Sequence, residues 1–544
     1  MTSYLKQLLN YIYGTDKSEL HLDFNLPNHI KDDDHFDVII VGSGLSGLTT
    51  AYRLSQYGLK IAVIEATDQI GGRTRSFKMS NGDLISYGGT WSTFEDLSTI
   101  GLAYEIDCLP FVPDVKLQLN DLTNLITHPY LLIKLWLIGK KILSTGDDYW
   151  NSPLAKKYDK ISLTQWLLSK KGFTNEEASR QAVLDYLYGM ESYSFNLDNL
   201  SCFFAAVMIY VRLSNITTTG LLFPKLLRWN GGTGIFVSKL AQQIAKSNNV
   251  VFKCSEIITD LIQMDTQVIV KTNNLTLKAN RVVVATSPLA AMNIKYTPNL
   301  PELSKNLFSS IVPWNDPALN LILVFKEHWG VGLMPLMNYR FPVEGIDGPI
   351  FDLTPNNSTK GIYRLLCNPD FVKGWTVDQI KESALKLFIS YYPDKEVIIT
   401  SLFEELIILN WLDSQPWIPA VAYYYPPGIL SNYGSAMRQS FDKIYWAGSE
   451  KATRGLHWIE GAIDRGNQVA EELLLNLNKI NNPTQYRQFI NDFKNKGLTT
   501  VKNLDNLQNF ENLINTIKST FSALFRIDNL TDIEQRIFNK FKTL

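Results

Sequence analysis

FDVIIVGSGLSGLTTAYRLSQYGLKIAVIEA, residues 36–66, opens with a run of Val and Ile that stops at a glycine loop. VIIV reads as a short buried strand, LSGLTTAYRLSQYG as a helix ending at Gly58, and KIAVIE as a second, parallel strand. Gly42, Gly44 and Gly47 have the GxGxxG spacing. The first permits a tight turn, the second lets a pyrophosphate approach the backbone, and the third lets helix and strand pack closely. The helix N-terminus then faces the phosphates, which its dipole and unpaired N–H groups favour. Glu65 ends the second strand eighteen residues after Gly47, where an acid accepts hydrogen bonds from an adenosine ribose. By itself the loop does not choose between NAD and FAD.

The residues that follow narrow the choice. IGGRTRSF places Gly71, Gly72, Arg73 and Arg75 beside the same pyrophosphate, where the planar fork of arginine suits phosphate. DLISYGGTW reads as a strand ending in two glycines and an aromatic, NGGTGIFVSKLAQQI as a helix begun at a glycine turn, and RVVVATSP as a buried strand. DKIYWAGSEKATRGLHWIEGAIDRGNQVAEELL reads as a strand, a Gly-Ser turn, a loop and a long helix. Glycine turns at strand ends recur at both ends of the chain, which suggests one nucleotide fold assembled from separated segments.

Bulk properties exclude other classes. At 544 residues the chain is too long for one hydrophobic core. A net charge of -1 without a basic block argues against nucleic acid as a partner. Cys108, Cys202, Cys254 and Cys367 are scattered, which fits a reducing compartment and argues against disulfides or zinc. The first residues lack the apolar core of a signal peptide, and no apolar run approaches the ~18 residues of a spanning helix. YLLIKLWLIGKKIL carries three lysines and reads as an amphipathic helix on the protein or on a membrane surface. The expected location is cytoplasmic, and peripheral membrane association is compatible with it.

Taken together, these stretches resemble the flavin-containing amine oxidase family, and most closely the monoamine oxidases. The similarity runs from about Phe36 to about Leu475 and is most specific in YYYPPGILSNYGSAMRQSFDKIYWAGSEKAT and the EGA that follows. DLISYGGTW and LNLILVFKEHW match as well. The resemblance implies a two-domain α/β fold with a Rossmann-type FAD-binding domain in three pieces, 36–110, 222–310 and 414–478. These alternate with a substrate domain of mixed sheet and helices, 111–221 and 311–413. An N-terminal extension, 1–35, and a helical tail, 479–544, flank them. In the tail Leu504, Leu507, Phe510, Leu513, Ile514, Ile517, Phe521 and Leu524 recur at helical spacing.

By that resemblance the ADP half lies on Gly42, Ser43, Gly44, Ser46, Gly47, Glu65, Ala66, Gly72 and Arg73, with the Ile257 backbone near adenine. Gly89, Thr90 and Trp91 run along the ribityl chain and flavin, and Gly448, Ser449 and Glu450 return to the pyrophosphate. Trp411 stands beside the flavin. The helix begun near Ile459 aims its N-terminus at the ring, where its dipole favours the negative charge of reduced flavin.

Four positions, in three features of the site, depart from the family. The cysteine that tethers the flavin falls at Ala420, so FAD is expected to be bound without a covalent bond. The paired tyrosines that cage the substrate fall at Trp458 and Val421, with Tyr423 on the same strand face as Val421. The lysine that holds a water under the flavin N5 falls at Asn320, which offers no charge. Oxygen reduction is therefore the weaker half-reaction unless another cation serves. No arginine closely follows GGTW to clamp a carboxylate, and Arg454 and Arg340, the other candidates, read rather as surface or phosphate residues, so an uncharged or cationic amine is preferred to an α-amino acid.

The expected activity is FAD-dependent oxidation of an amine C–N bond to an imine, with oxygen reduced to peroxide. Expected partners are the small-molecule amine and molecular oxygen, and the reading admits a homodimer. Two alternatives stay open: a flavin desaturase or protoporphyrinogen-oxidase-like enzyme, and a non-catalytic flavoprotein. Because Ala420 replaces the tethering cysteine, acid precipitation should leave the flavin in the supernatant. A yellow pellet would show the attachment to be elsewhere.

Overall fold

The computed structural model describes residues 26–93, 96–108, 130–146, 148–169, 183, 196–219, 227–314, 318–329, 346, 350–355, 358–414, 417–452 and 455–481. Arg340, Arg454, most of the N-terminal extension and the tail beyond residue 481 lie outside these.

β1 (His35–Val41) leads through the glycine loop into α1 (Leu45–Ser55) and back through β2 (Ile61–Ile64). β2 lies parallel to β1, Val41 opposite Ile64. Gly42 holds φ +99°, a backbone conformation that L side chains rarely adopt. A Cβ on Gly47 would stand 2.1 Å from the Gly42 carbonyl oxygen, so only glycine lets the helix start this close to the strand. β3 (Ser76–Lys78) and β4 (Leu84–Ser86) form a hairpin, followed by α2 (Leu97–Glu105).

Two helices of a separate layer follow, α3 (Tyr130–Leu143) and α4 (Cys202–Thr219). α3 is the lysine-bearing amphipathic helix of the sequence. Leu131, Leu132, Leu135 and Ile142 of its apolar side are buried, and it packs on α4. Among the described residues no helix is long and apolar enough to cross a membrane.

The chain then returns to the first sheet. α5 (Thr233–Ala245) precedes β5 (Val250–Lys253), β6 (Ile258–Gln263), β7 (Val268–Thr272), β8 (Thr276–Val284) and β9 (Lys295–Thr297). The sheet runs β5-β2-β1-β8-β7-β6-β9. Strands from separated parts of the chain thus lie side by side, and Val38, Ile39 and Ile40 are fully buried between helices on both faces.

A second sheet is built from β11 (Leu319–Phe325), β12 (Ile350–Asp352), β13 (Gly361–Cys367) and, after α6 (Val377–Tyr391), β14 (Phe403–Asn410), in the order β12-β13-β11-β14. Its described pairings are all antiparallel, where a mixed sheet was expected. Every residue of β11 is buried because both faces are covered. Leu319, Leu321, Leu323 and Phe325 pack with Tyr363 and Leu365 against Leu387 and Phe388 of α6. Ile322 and Val324 face Met79 and Ile85 of the β3–β4 region. The side-chain period of two therefore sends Asn320 to the same side as Ile322 and Val324, the side of the β3–β4 hairpin.

β10 (Val312–Trp314) pairs with β15 (Ala422–Tyr424). β16 (Ile444–Trp446) joins the first sheet along β8, and α7 (Ile459–Asn476) follows it. α7 lies on α1 so closely that a Cβ on Gly466 would stand 2.6 Å from the Ser46 carbonyl oxygen.

At Gly139 α3 lies close against α4. A Cβ there would stand 2.2 Å from the Ala206 carbonyl oxygen and 2.6 Å from Tyr210 Cβ. Gly139→Ala gains about 1 kcal/mol of helix propensity. Overpacking costs roughly 1–3 kcal/mol, and here the obstacle is rigid backbone. The steric effect should win, by up to about 2 kcal/mol, lowering the thermal midpoint. An unchanged or raised midpoint would mean that the helices do not meet at Gly139.

Candidate active site

A cavity of about 680 Å³ opens where the C-terminal ends of β1 and β2 face the even-numbered side of β11 and β13. At one end it is lined by Gly42, Gly44, Ser46, Glu65, Ala66, Gly72 and Arg73. Nothing lies within 4 Å of where a Gly44 Cβ would stand, so the loop leaves open space at the N-terminus of α1. Gly448 and Ser449 close this end from the far part of the chain, and Gly448 N–H donates to Ser46 Oγ at 2.8 Å. Ser43 and Gly47 stand behind the lining.

Glu65 is buried and doubly anchored. One carboxylate oxygen accepts from Ser43 N–H and Oγ–H at 2.9 and 2.8 Å, the other from Thr67 N–H and Oγ1–H at 3.0 and 2.9 Å. A ribose there would replace hydroxyl donors that can rotate away. Ile257 lines the cavity, while its backbone N–H and C=O pair with Asn273.

Arg73 differs from the simple phosphate fork of the sequence expectation. Its Nη1 lies 2.6 Å from Glu450 Oε1 and donates to the Val421 carbonyl, and its Nη2 donates to Ser449 Oγ. Glu450 is buried behind the lining, with His457 Nδ1 3.8 Å away. Burial works to raise the Glu450 carboxyl, but Arg73 and His457 outweigh it and hold it well below the usual carboxylate range. Arg75 turns away from the lining: it donates to Thr67 Oγ1 and stands 6.0 Å over the Trp411 ring.

The other end is aromatic. Gly89, Thr90, Trp91, Trp411, Trp458, Ile459 and Val421 line it. Trp411 stacks on Tyr87 at 4.2 Å and donates to the Tyr87 carbonyl. Trp458 caps α7, whose N-terminus opens on the cavity. Glu460 in the first turn reaches away from the cavity to accept from Ser98 and Thr99 N–H, at the start of α2.

Tyr423 does not reach the lining: it is wholly buried, with its ring tilted against His457 at 6.5 Å. Burial first, and then Glu450, push its phenol up. It is a core residue and cannot stand in for an aromatic wall at Val421.

Asn320 is 1% exposed and lines the cavity, with Nδ2 donating weakly to the Ala318 carbonyl at 3.4 Å. Its Oδ1 has no hydrogen-bond partner among the described residues, and neither has Trp91 Nε1. Buried polar atoms of this kind are costly unless something bonds them. Sequence reasoning missed Trp314, Trp417, Phe351 and Arg364, which also line this end. Arg364 carried one readable signal: it is the single charge in the apolar strand GIYRLLC.

Residues 45–474 match the family described as "Flavin containing amine oxidoreductase". The chain belongs to that family and is a flavin-dependent oxidoreductase of the amine oxidase type. It is 24% identical to amine oxidase [flavin-containing] B of Sus scrofa over 497 residues, covering 82% of this chain and 87% of the relative. The Homo sapiens enzyme of the same name is 25% identical over 495 residues, with the same coverage. Among solved structures, putrescine oxidase with putrescine bound superposes with a TM-score of 0.68 at 20% identity, covering 81% of this chain and 99% of that one. Cyclohexylamine oxidase from Brevibacterium oxydans gives 0.67 at 20% identity, covering 82% and 100%. The open glycine cradle at one end and the orphaned buried Asn320 Oδ1 and Trp91 Nε1 at the other fit a flavin nucleotide.

The Arg73–Glu450 pair yields a pH prediction. A carboxyl held down in the folded state adds stability that is fully present above about pH 4.5, the ordinary glutamate value, and is lost as pH falls toward the folded value. Glu450→Gln should destabilise the protein at pH 7 by about 3 kcal/mol, the lower end for breaking a buried pair, because 26% of the Arg73 side chain stays exposed. The gap to the unmodified protein should shrink as the pH drops below about 4.5. Thermal unfolding midpoints from pH 7 to pH 3.5 measure it, and a gap that stays constant would contradict the ionised pair.

Proposed function

We propose that this protein oxidises the C–N bond of an amine with FAD held non-covalently, oxygen being the final electron acceptor. The observation that carries the reading is a single continuous cavity. It joins a dinucleotide cradle at Gly42–Gly47 to an aromatic chamber walled by Trp458, Trp411 and Asn320.

The adenosine half would rest on Glu65 and Ala66, the pyrophosphate on the N-terminus of α1 with Gly72, Arg73 and Ser449, and the ring between Gly89–Trp91 and the N-terminus of α7. Flavin held there would supply two-electron oxidation of the amine C–N bond to an imine, which water would hydrolyse, with oxygen as the acceptor and peroxide as the product. The chain's own residues set the conditions. The dipole of α7 stabilises negative charge at its N-terminus. The tryptophans exclude water, which lowers the amine's pKa toward the neutral form that can be oxidised. Asn320 Oδ1 accepts a hydrogen bond from a water or from the amine N–H.

Ala420 lines the cavity and none of the four cysteines does, which supports a flavin without a covalent tether. The expected outcome of anaerobic mixing with a panel of amines is loss of the flavin absorbance, followed by its return on admitting air with formation of peroxide. A flavin that no amine reduces would refute the reading, and return of colour without peroxide would refute oxygen as acceptor.

A further inference from the structure

A buried cation stands behind the glycine cradle. Lys451 ends the short turn Ser449–Lys451 after β16 and is 1% exposed. Its Nζ donates to the Thr286 carbonyl at 3.1 Å and stands 5.5 Å over the Phe308 ring and 5.9 Å over the Trp446 ring. A Cβ on Gly448 would lie 3.6 Å from that Nζ, and one on Gly42 would lie 3.2 Å from Thr286 Cγ2. Gly42, Thr286 and Gly448 all line the cavity. The ammonium therefore sits one layer behind the place where the loop of α1, the end of β8 and the end of β16 meet. Thr286 Oγ1 is buried there with no hydrogen-bond partner among the described residues. A buried hydroxyl of this kind calls for an acceptor.

The charged groups that face Lys451 are Glu450, Arg465 and Arg73. Arg73 and Glu450 form a pair at 2.6 Å and together are neutral. Arg465, on α7, is matched by Glu472 at 2.8 Å. With Lys451 the group as a whole is positive. The helix Glu302–Ser310 brings Phe308 to the site, and its own charges, Glu302 and Lys305, are exposed. Burial pushes the Lys451 ammonium down to about 8, with Glu450 opposing the shift and Arg465 and Arg73 adding to it. Keeping an ammonium charged in such surroundings is costly, and a nearby anion offsets the cost.

We propose that Lys451 is a positioning residue for the cofactor's pyrophosphate, supplying from behind Gly448 and Thr286 the net positive charge that the Arg73–Glu450 pair does not. This rests on the reading of the cavity as an FAD site and deepens it. Lys451 does not itself line the cavity. It acts by its field and by fixing the Thr286 carbonyl, without touching the ligand. The buried surroundings strengthen that field, which adds to the dipole and free N–H groups of the α1 N-terminus. An anion in the cradle favours the ammonium and so raises its pKa in the loaded protein. FAD affinity is therefore full below about pH 8, where Lys451 is charged with or without ligand, and falls as the pH rises from there to the loaded value.

The test uses the flavin-loaded protein and needs no turnover. Dissociation of FAD on dilution is followed by the recovery of flavin fluorescence from about pH 7 to about pH 9.5. The unmodified protein should lose about 5- to 10-fold in affinity over that range. Lys451→Met keeps an apolar stem between Phe308 and Trp446. It should bind FAD about 10-fold more weakly than the unmodified protein at pH 7 and show no further loss on raising the pH. Lys451→Arg, whose charge does not titrate, should hold its pH 7 affinity at pH 9.5.

ADP and adenosine are then titrated as competitors that displace the flavin. Lys451→Met should weaken ADP and leave adenosine unchanged, a split that a merely structural defect would not give. If Lys451→Met fails to fold or retains no flavin, the unmodified protein decides: ADP should weaken above pH 8 while adenosine does not. Equal FAD affinity in Lys451→Met and the unmodified protein, or the same pH profile in both, would overturn the proposal and leave the FAD site standing. An unmodified protein that holds no flavin would instead refute the reading on which the proposal rests.

Discussion

The Arg73–Glu450 ion pair is where the separated parts of this chain are held to one another. Its partners lie at opposite ends of the sequence, and Glu450 is 1% exposed. Burying a carboxylate this deeply is costly unless a cation meets it. Arg73 can meet it only if the segment after β2 and the turn after β16 are seated together against the loop of α1. The same guanidinium bonds Ser449 and the Val421 carbonyl, so one side chain references both ends of the cavity. The Gly448 N–H bond to Ser46 and the contact of Gly466 with Ser46 add a second lock between the same regions.

On the other side of the cavity the governing constraint is a strand with no exposed face. β11 is buried throughout, so its two sets of side chains must answer to different neighbours. The odd set belongs to the core with α6. The even set faces the hairpin β3–β4 and the cavity, and this carries Asn320 into the cavity wall. A register shift of one residue would exchange the two sets, putting Leu321 at the chamber and Asn320 in the core. The antiparallel registers of β13 and β14 on either side of β11 prevent that shift. The position of Arg364 follows from the same pairing, so the polarity of the chamber is a consequence of sheet register.

Much of this was legible in the sequence because it is written in local patterns. The βαβ unit follows from apolar periodicity and from glycines whose spacing has a steric meaning: Gly42 takes a left-handed turn and Gly47 permits contact with a carbonyl oxygen. The glycine turns at strand ends announced a discontinuous nucleotide-binding sheet. The amphipathic helix at 130–143 was readable, and so were the placements of Trp458, Val421 and Asn320 along the cavity.

Tertiary structure decided what each side chain meets. Tyr423 shares a sequence neighbourhood with Val421 yet belongs to the core beside His457, because parity along a short strand does not say which body covers it. Arg75 lies two residues from Arg73 and turns toward Thr67. Trp314, Trp417 and Arg364 reach the chamber from places that carry no motif. Periodicity and glycine spacing are properties of neighbours in the chain, so sequence alone determined the elements, the cradle and the family. Charge and shape in the chamber are sums over residues brought together by strand register and helix packing, and those were set only when the chain closed on itself.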